Sequence, residues 1–300
     1  MKRIIGLLLL LALGGCGNHR HIGATRSVSV PATAVGTFDN HEQVSRERAG
    51  TALPPHVVAT IEPTAQPDWA IWRIHVGQRP ELDVLWAMHA VDGGVFVPHR
   101  ALIALPATGA SFDPKQWTPL DACALRGTVA ATGFKVAADA ALCAALIPGI
   151  GAQAPWLPLA AEREGEWLHL RLYVDQARGA DAREDLRKVV IFSGWAAING
   201  AGPAAAADNT NWHMDRAIRI GSEGGRVPLT WRDGSASGYS LGLERMTYRE
   251  GNMPVLKLSV IDERNGSTLA YAWANPEATR IGINLGWVQV GLQREGESDR

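Results

Sequence analysis

The densest group of polar side chains in the sequence lies between residues 208 and 215. It holds two aspartates, two asparagines and a histidine around one tryptophan: Asp208, Asn209, Asn211, Trp212, His213 and Asp215. Residues two apart on an extended chain point to the same side, so Asp215 is placed to orient His213 as a general base. General-base catalysis also needs a nucleophile or a water site, and the sequence shows neither. The favoured interpretation is a polar loop between two strands, and no catalytic residue is assigned.

Three further histidines, His75, His89 and His99, fall on neighbouring predicted strands and raise the question of a zinc site. If the hairpin turns in a two-residue loop at Asp92 and Gly93, His89 and His99 lie on opposite faces of the sheet. A loop one residue longer places them diagonally on one face. No cysteine or carboxylate stands beside them at a metal-ligand spacing. Unrelated strand histidines are therefore the favoured interpretation, and neither a metal nor another cofactor is assigned.

A glycine- and serine-rich segment at 234–238 invites comparison with the nucleophile elbow of hydrolases. That motif needs serine at its centre, where this sequence has Ala236. The segment is interpreted as a flexible hairpin loop. The sequence also contains no phosphate-binding loop, dinucleotide fingerprint or haem-attachment motif.

Tryptophan is unusually common, with eleven residues against five phenylalanines and four tyrosines. Four tryptophans lie within apolar predicted strands and are expected in the core: Trp86, Trp195, Trp273 and Trp287. Four others fall in or beside predicted loops: Trp117, Trp156, Trp212 and Trp231. Rings exposed on loops can stack on sugars or anchor a protein partner. These four, with His213 and Asp215, are the candidate ligand or partner contacts.

The first sixteen residues have the composition of an export signal. Lys2 and Arg3 give a short basic start, and residues 4–13 are almost wholly apolar. This run is too short to cross a bilayer, which takes about 20 apolar residues, and has the size of a signal-peptide hydrophobic region. A core helix with an incidental cysteine has no reason to begin at residue 1 with a basic pair. The run ends in Leu13, Gly14, Gly15 and Cys16.

This ending resembles the lipobox of bacterial lipoproteins, and the resemblance is limited to residues 1–16. It implies that residues 1–15 are a signal peptide that is removed and that Cys16 becomes the lipidated N-terminus. Several acyl chains then anchor the protein stably, whereas a single chain holds only marginally. Gly17 follows, at a place where lipoproteins retained at the inner membrane often carry aspartate. The expected location is therefore the periplasmic face of an outer membrane.

With Cys16 given to lipid, the remaining cysteines are Cys123 and Cys143. In an oxidising compartment this pair predicts one disulfide, which closes a loop of about 20 residues and stabilises the fold by about 3 kcal/mol. The alternative is two buried thiols in an alanine-rich stretch.

The mature chain is slightly acidic. The 29 basic residues lose Lys2 and Arg3 with the signal, which leaves 27 against 30 acidic residues and a net charge near −3. Such a balance argues against nucleic-acid binding, which needs a basic face. The sequence has no cluster of lysine and arginine residues of the kind that predicts a polybasic membrane patch.

Hydrophobic periodicity predicts that most of the candidate contact and histidine side chains lie on or beside strands. Residues 17–52 lack such a period, so residues 16–52 are interpreted as the lipidated cysteine and a flexible tether. Strands are predicted at 57–61, 69–76, 84–91, 95–105, 167–174, 189–198, 239–248, 255–261, 268–273 and 281–292. The strongest hairpin signal is Asn265-Gly266. Short helical segments are predicted at 136–147 and 181–188.

The expected fold class is therefore mainly β, with antiparallel sheets, two β-sandwich-like units and one or two short helices. The proline- and glycine-rich stretch 148–158 predicts a boundary between two β-rich domains. These domains are expected at residues 53–150 and 158–294.

Secretion, stable anchoring and the lack of a catalytic set favour a non-enzymatic lipoprotein that binds another protein. Such a protein is an adaptor of an envelope machine or a periplasmic inhibitor or immunity factor. The alternative is an envelope protein that binds or hydrolyses glycan or peptidoglycan. That alternative predicts a cleft in which the loop tryptophans meet His213 and Asp215, and it is weakened if those side chains are scattered.

Overall fold

The structure is a computed structural model, and it describes residues 32–47, 54–77, 84–91, 94–102, 111–248 and 253–296. The predicted signal peptide, Cys16 and residues 17–31 of the predicted tether lie outside the described residues. The helices are short: α1 (His41–Glu47), α2 (Ala140–Ala144) and α3 (Ile147–Ile150). The predicted fold class is confirmed, because strands predominate and every strand pair is antiparallel. None of the helices in these ranges has the length and apolar character needed to span a membrane.

The first eleven strands form one sheet. They are β1 (Gly36–Asp39), β2 (Val57–Pro63), β3 (Trp69–Val76), β4 (Val84–Val91), β5 (Val95–Ala101), β6 (Trp117–Pro119), β7 (Leu125–Ala130), β8 (Gly133–Ala137), β9 (Pro158–Glu164), β10 (Trp167–Leu172) and β11 (Glu184–Lys188). Ten pair in the order β4-β3-β2-β1-β11-β10-β9-β8-β7-β5, and the pairing of β5 with β4 closes the ring. β6 pairs with β5 beside this ring. The first unit is therefore a closed, barrel-like sheet.

Alternate residues of the ring strands point inward and form the core of the closed sheet. β10 shows this pattern clearly, with Leu168, Leu170 and Leu172 fully buried between partly exposed neighbours. Phe38 and Trp86 belong to the same core and are fully buried. Removal of this apolar surface from water, at about 25 cal/mol per Å², is the main force that holds the ring closed.

The remaining eight strands form a β-sandwich. They are β12 (Ile191–Asn199), β13 (Trp212–Gly221), β14 (Glu223–Thr230), β15 (Ala236–Met246), β16 (Val255–Asp262), β17 (Thr268–Ala274), β18 (Arg280–Asn284) and β19 (Val288–Arg294). One sheet has the order β13-β12-β19-β18 and the other β14-β15-β16-β17. Their inner faces share one core that includes Leu241, Leu258 and Val288.

The two units divide the chain after Lys188, and not at the proline- and glycine-rich stretch 148–158. That stretch holds α3 and a 3-10 helix, Gly151–Trp156, and it packs against the core of the closed sheet. β9 follows directly and pairs with β8. The predicted boundary therefore lies inside the first unit.

The fold also begins earlier than the predicted tether allows. β1 lies within residues 16–52, yet it pairs with β2 on one side and β11 on the other. α1 follows it, and Asp39 accepts a hydrogen bond from the backbone N–H of His41 at 2.7 Å. Residues 36–47 are therefore an integral part of the closed-sheet unit.

Several predicted elements differ from the structure. The helix predicted at 181–188 is wrong, because Glu184–Lys188 is strand β11. The helix predicted at 136–147 begins only at Ala140, since the preceding residues complete β8. The strand predicted at 281–292 is a hairpin, β18 and β19, whose turn places Gly286 at φ 82°.

A buried set of ion pairs joins the two units. Arg187 of β11 pairs with Glu42 of α1 and lies 3.9 Å from Glu223 of β14. Arg245 of β15 contacts Glu223 at 3.0 Å and Glu166, in the β9–β10 turn, at 2.9 Å. Burial lowers the pKa of Arg187 and raises the pKa of Glu223, although the opposite charges partly offset both effects. We call these five residues the junction cluster.

Candidate interaction surface

Strand β17 has an inverted pattern of side chains. Its outward residues are Leu269, Tyr271 and Trp273, which are 43%, 55% and 57% exposed. Alanines occupy the three alternate positions, which are partly buried. A strand with one packed face normally turns its large apolar side chains toward the core. β17 does the reverse and presents them to solvent.

The outward rings of β17 form a patch with Tyr248, which follows β15. The ring centre of Trp273 lies 5.2 Å from that of Tyr271 and 5.4 Å from that of Tyr248. Lys257 of β16 is the cross-strand neighbour of Trp273, and its Nζ lies 5.7 Å and 5.8 Å from the ring centres of Tyr248 and Tyr271. A cation at this distance attracts the faces of both rings. We call Tyr248, Lys257, Leu269, Tyr271 and Trp273 the β17 face.

A hydrogen bond with Glu244, which lies beside the patch, holds Lys257 in place. Its Nζ donates to Glu244 Oε1 at 2.8 Å, and Glu244 Oε2 lies 3.3 Å from His41 Nε2. The hydrogen bond with His41 lowers the pKa of Glu244 to about 2, with Lys257 adding to the effect and partial burial opposing it. Partial burial alone would lower the pKa of Lys257, but hydrogen bonds with Glu244 and Tyr248 raise it. The rings therefore stand beside a charge pair that persists at neutral pH.

β17 is also an edge strand. Among the described residues it pairs with β16 and with no second strand. One side of its backbone therefore carries N–H and C=O groups that are not bonded to another strand. Natural edge strands often carry charge or proline that discourages further pairing, and Thr268–Ala274 contains neither. An open edge beside exposed apolar side chains is typical of a protein contact surface.

The two predicted contact residues of the first unit are not on open loops. Trp117 begins β6, is 5% exposed, and its ring centre lies 6.0 Å from that of Phe112. Trp156 packs against the core of the closed sheet, and its carbonyl accepts a hydrogen bond from Nε1 of Trp86 at 3.1 Å. Both side chains contribute to packing within the closed-sheet unit.

The other predicted contact residues lie in the sandwich. Trp212, His213 and Asp215 all belong to β13, where a loop is predicted. The carboxylate of Asp215 accepts a hydrogen bond from the backbone N–H of Ala217 at 2.8 Å, and none links it to His213. Trp231 packs against the sandwich core. The four tryptophans are therefore split between the two units instead of lining one cleft.

Cys123 and Cys143 are joined by a disulfide, as the sequence predicts. The bridge connects the short 3-10 helix Asp121–Cys123 with α2, and both cysteines are buried in the core of the closed sheet. Asp139 caps α2 by accepting hydrogen bonds from two backbone N–H groups of its first turn. The bridge therefore fixes the position of the helical segment against the sheet.

The histidines of the predicted hairpin lie on one face, because its loop is longer than two residues. Val91 pairs with Val95, so three residues connect β4 and β5, and of the two loop lengths left open by the sequence the longer one is present. The ring centres of His89 and His99 are 6.0 Å apart, and the ring of Trp69 stacks on His89 at 4.3 Å.

His75 lies toward the other end of β3 from Trp69. Burial lowers the pKa of His99, although its hydrogen bond with the Val97 carbonyl oxygen partly opposes this effect. Within the described ranges, no three histidine, cysteine or acidic side chains come together in a way that could hold a metal ion. The histidines near Trp69 are part of an aromatic cluster on the outside of the closed sheet.

The β17 face is the clearest candidate for a functional site. Nine large hydrophobic residues are exposed in the described part of the chain, and four of them belong to this one patch. The sequence does not predict this patch, because Trp273 lies in an apolar strand and is expected in the core. The signal it contained is the strict alternation of alanine with larger residues over 269–274. Comparison with known protein families, with curated proteins and with solved structures gives no match to the chain.

Proposed function

We propose that this chain is a lipid-anchored protein of the bacterial cell envelope that binds another protein without catalysis, and that its partner docks on the β17 face. The observation that carries the proposal is the inverted pattern of β17. Leu269, Tyr271 and Trp273 contribute little to the sandwich core, because alanines fill the inward positions. Large apolar side chains that do not stabilise the fold are best explained by a partner that covers them.

The composition of the β17 face suits a protein contact. Full burial of an exposed large apolar side chain contributes about 1.5–3 kcal/mol, and the half-exposed Leu269, Tyr271 and Trp273 would each contribute part of that on binding. Tyrosine and tryptophan are enriched among the residues that dominate binding energy. The rings of Tyr271 and Trp273 stack on each other and so present one continuous aromatic surface to a partner. The paired charges of Lys257 and Glu244 supply a polar rim that sets the orientation of the partner.

The sequence at the N-terminus supports the location. Residues 1–16 resemble a lipoprotein signal, so we propose attachment through Cys16 to the periplasmic face of an outer membrane. A protein held there by lipid suits the role of an adaptor of an envelope assembly or of a periplasmic inhibitor or immunity factor. The Cys16→Ala variant should leave the membrane fraction, and its retention there would contradict the proposed anchor.

The contact surface is tested by recovering partners of the full-length chain from the envelope of its own organism in mild detergent. The wild-type chain should retain one stoichiometric protein, and the Tyr271→Ser/Trp273→Ser variant should lose it. Trp195→Ser is the matched control, because Trp195 is an exposed tryptophan on the other sheet of the sandwich. Circular dichroism and thermal unfolding establish that all three chains fold.

Two outcomes would contradict the proposal. A partner that the double variant still binds would put the contact on another surface. Retention on peptidoglycan or oligosaccharide in place of a protein, with loss in the same variant, would favour the glycan alternative, since exposed rings also stack on sugars.

A further inference from the structure

The closed sheet carries a groove on its outer face, over strands β8 to β10. Its volume is about 490 Å³, and residues 180–183 form one of its sides. Outward side chains of β10 face it because the alternate residues, such as Leu170, point into the core. His169 and Arg171 are two of these outward residues. Being two positions apart on one strand, they lie about 7 Å from each other.

The strand register arranges the polar floor of the groove as a row of paired side chains. Lys135, Glu162, His169 and Asp185 are successive neighbours across four strands. Lys135 Nζ lies 2.9 Å from Glu162 Oε2, and His169 Nδ1 lies 2.5 Å from Asp185 Oδ1. Every charge in this row therefore has a partner of opposite sign or a hydrogen-bonding ring beside it.

The adjacent row contains a cation that lacks such a partner. Arg171 has Ala160 as its neighbour on β9, and Ala160 in turn has Ala137 on β8. Nε of Arg171 is buried without a hydrogen bond, and Arg171 has no ion pair among the described residues. The other two cations of the groove, Lys135 and Arg183, are each paired with a carboxylate. Arg171 lines the groove, so its guanidinium charge is left for a ligand of opposite sign to balance.

His169 adds a hydrogen-bond acceptor next to this cation. When the neutral ring donates Nδ1–H to Asp185, its Nε2 carries the lone pair. Nε2 has no partner among the described residues. The groove thus offers a guanidinium fork, which suits a carboxylate, and an acceptor for an N–H group. Ala160 and Ala137, which continue the row of Arg171, leave room for a small apolar side chain.

We propose that this groove binds the carboxylate end of an N-acylated small amino acid or of a peptide. The carboxylate pairs with Arg171, the amide N–H donates to His169, and a methyl-sized side chain packs on Ala137 and Ala160. A single negative charge fits better than a phosphate dianion, because Glu162 and Asp181 also line the groove and Asp185 lies beside His169. This site does not depend on the β17 face or on its partner.

The test measures binding to the full-length chain in detergent by saturation-transfer difference NMR and by titration. The probes are N-acetyl-L-alanine, N-acetyl-Ala-Ala-Ala, N-acetyl-L-alaninamide and inorganic phosphate. We expect the two carboxylates to bind and the amide and phosphate to bind at least tenfold more weakly. Affinity for the tripeptide at least tenfold above that for N-acetyl-L-alanine assigns the groove to peptide ends, and equal affinity assigns it to free N-acyl amino acids.

Two variants locate the binding. Arg171→Gln should weaken carboxylate binding at least tenfold, and Ala160→Leu should do the same by filling the floor while keeping the charge. Arg126→Gln is the matched control, since Arg126 is an exposed arginine on β7 of the same sheet and does not line the groove. Binding that survives Arg171→Gln in a folded chain, or equal binding of the amide or of phosphate, would overturn the proposal. So would the absence of binding by both carboxylates.

Discussion

At the scale of single residues, the direction of a side chain decides whether a tryptophan belongs to the core or to a surface. Trp86 and Trp287 are buried as predicted, whereas Trp195 and Trp273 are exposed. All four lie in apolar strands, and in such strands hydrophobicity does not indicate which face is inward. Trp195 points outward over Gly291, where an added Cβ would lie only 2.8 Å from its Nε1. The sequence alone does not show that Gly291 lies beneath this ring, because only the pairing of β12 with β19 brings the two residues together.

The pair formed by His56 and Asp39 gives a prediction about pH. His56 Nε2 lies 2.7 Å from Asp39 Oδ1, and this hydrogen bond raises the pKa of His56 although burial opposes it. The pair's stabilising contribution is therefore complete below the unfolded pKa of about 6.5 and is lost as the pH rises through the folded pKa. Asp39→Asn should lower the pKa of His56 in an NMR titration.

The control for this titration is Asp68→Asn, which removes the carboxylate beside a different histidine, His89. It should leave the titration curve of His56 unchanged. If His56 has the same pKa in the Asp39→Asn variant as in the wild type, the hydrogen bond with Asp39 does not stabilise the protonated ring, and the prediction is contradicted.

At the scale of elements, strands with clear alternation or uniform apolar composition are predictable. β3 and β4 have the predicted bounds, and Asn265-Gly266 does connect β16 with β17, with Gly266 at φ 72°. A turn of this kind favours positive φ, which glycine adopts without strain. These features depend on neighbouring residues and are therefore visible in the sequence.

Strands that owe their conformation to pairing are not predictable from local sequence. β13 and β14 are rich in charged and exposed residues, so their sequences suggest a polar loop. Each is held by an antiparallel neighbour, β12 or β15, which supplies the hydrogen bonds that local propensity does not. β11 has the same explanation, with a partner on each side. The candidate contact residues on β13 were misplaced for this reason.

The disulfide gives a prediction about the helical segment of the closed sheet. The bridge closes a loop with a sequence separation of 20. Its removal should lower the free energy of unfolding by about 3 kcal/mol, because the unfolded chain gains conformational entropy. The Cys123→Ser/Cys143→Ser variant should therefore unfold at lower denaturant concentration than the wild type. Dithiothreitol should destabilise the wild type to a similar degree and leave the variant unchanged. Equal stability of the oxidised wild type and the variant would contradict the prediction.

At the scale of the whole molecule, the junction cluster makes the two units depend on each other. Its charges come from α1, the β9–β10 turn and β11 in the closed-sheet unit, and from β14 and β15 in the sandwich. No local sequence pattern predicts such a cluster, because its members are separated by up to about 200 positions in the chain.

Removal of one member of the cluster should destabilise the whole chain. Arg245→Met leaves Glu223 buried with a weakened set of partners, and loss of one partner from a buried ion pair typically costs about 3–5 kcal/mol. Arg226→Met is the control, because Arg226 forms a half-exposed pair with Glu263 in the same sheet and should cost less than about 1 kcal/mol. Denaturant unfolding measures both variants. Similar losses for the two arginines would contradict a special role for the junction cluster.

Binding at the β17 face is tested most directly by site-specific photo-cross-linking in living cells of the native organism. The photoreactive residue p-benzoylphenylalanine replaces Tyr271 in one variant and Trp195 in the other, so both probes occupy exposed aromatic positions of the sandwich. We predict that the probe at position 271 captures one protein, identified by mass spectrometry, and that the probe at 195 does not. Capture of the same protein from both positions, or of no protein from 271, would contradict a partner docked on the β17 face.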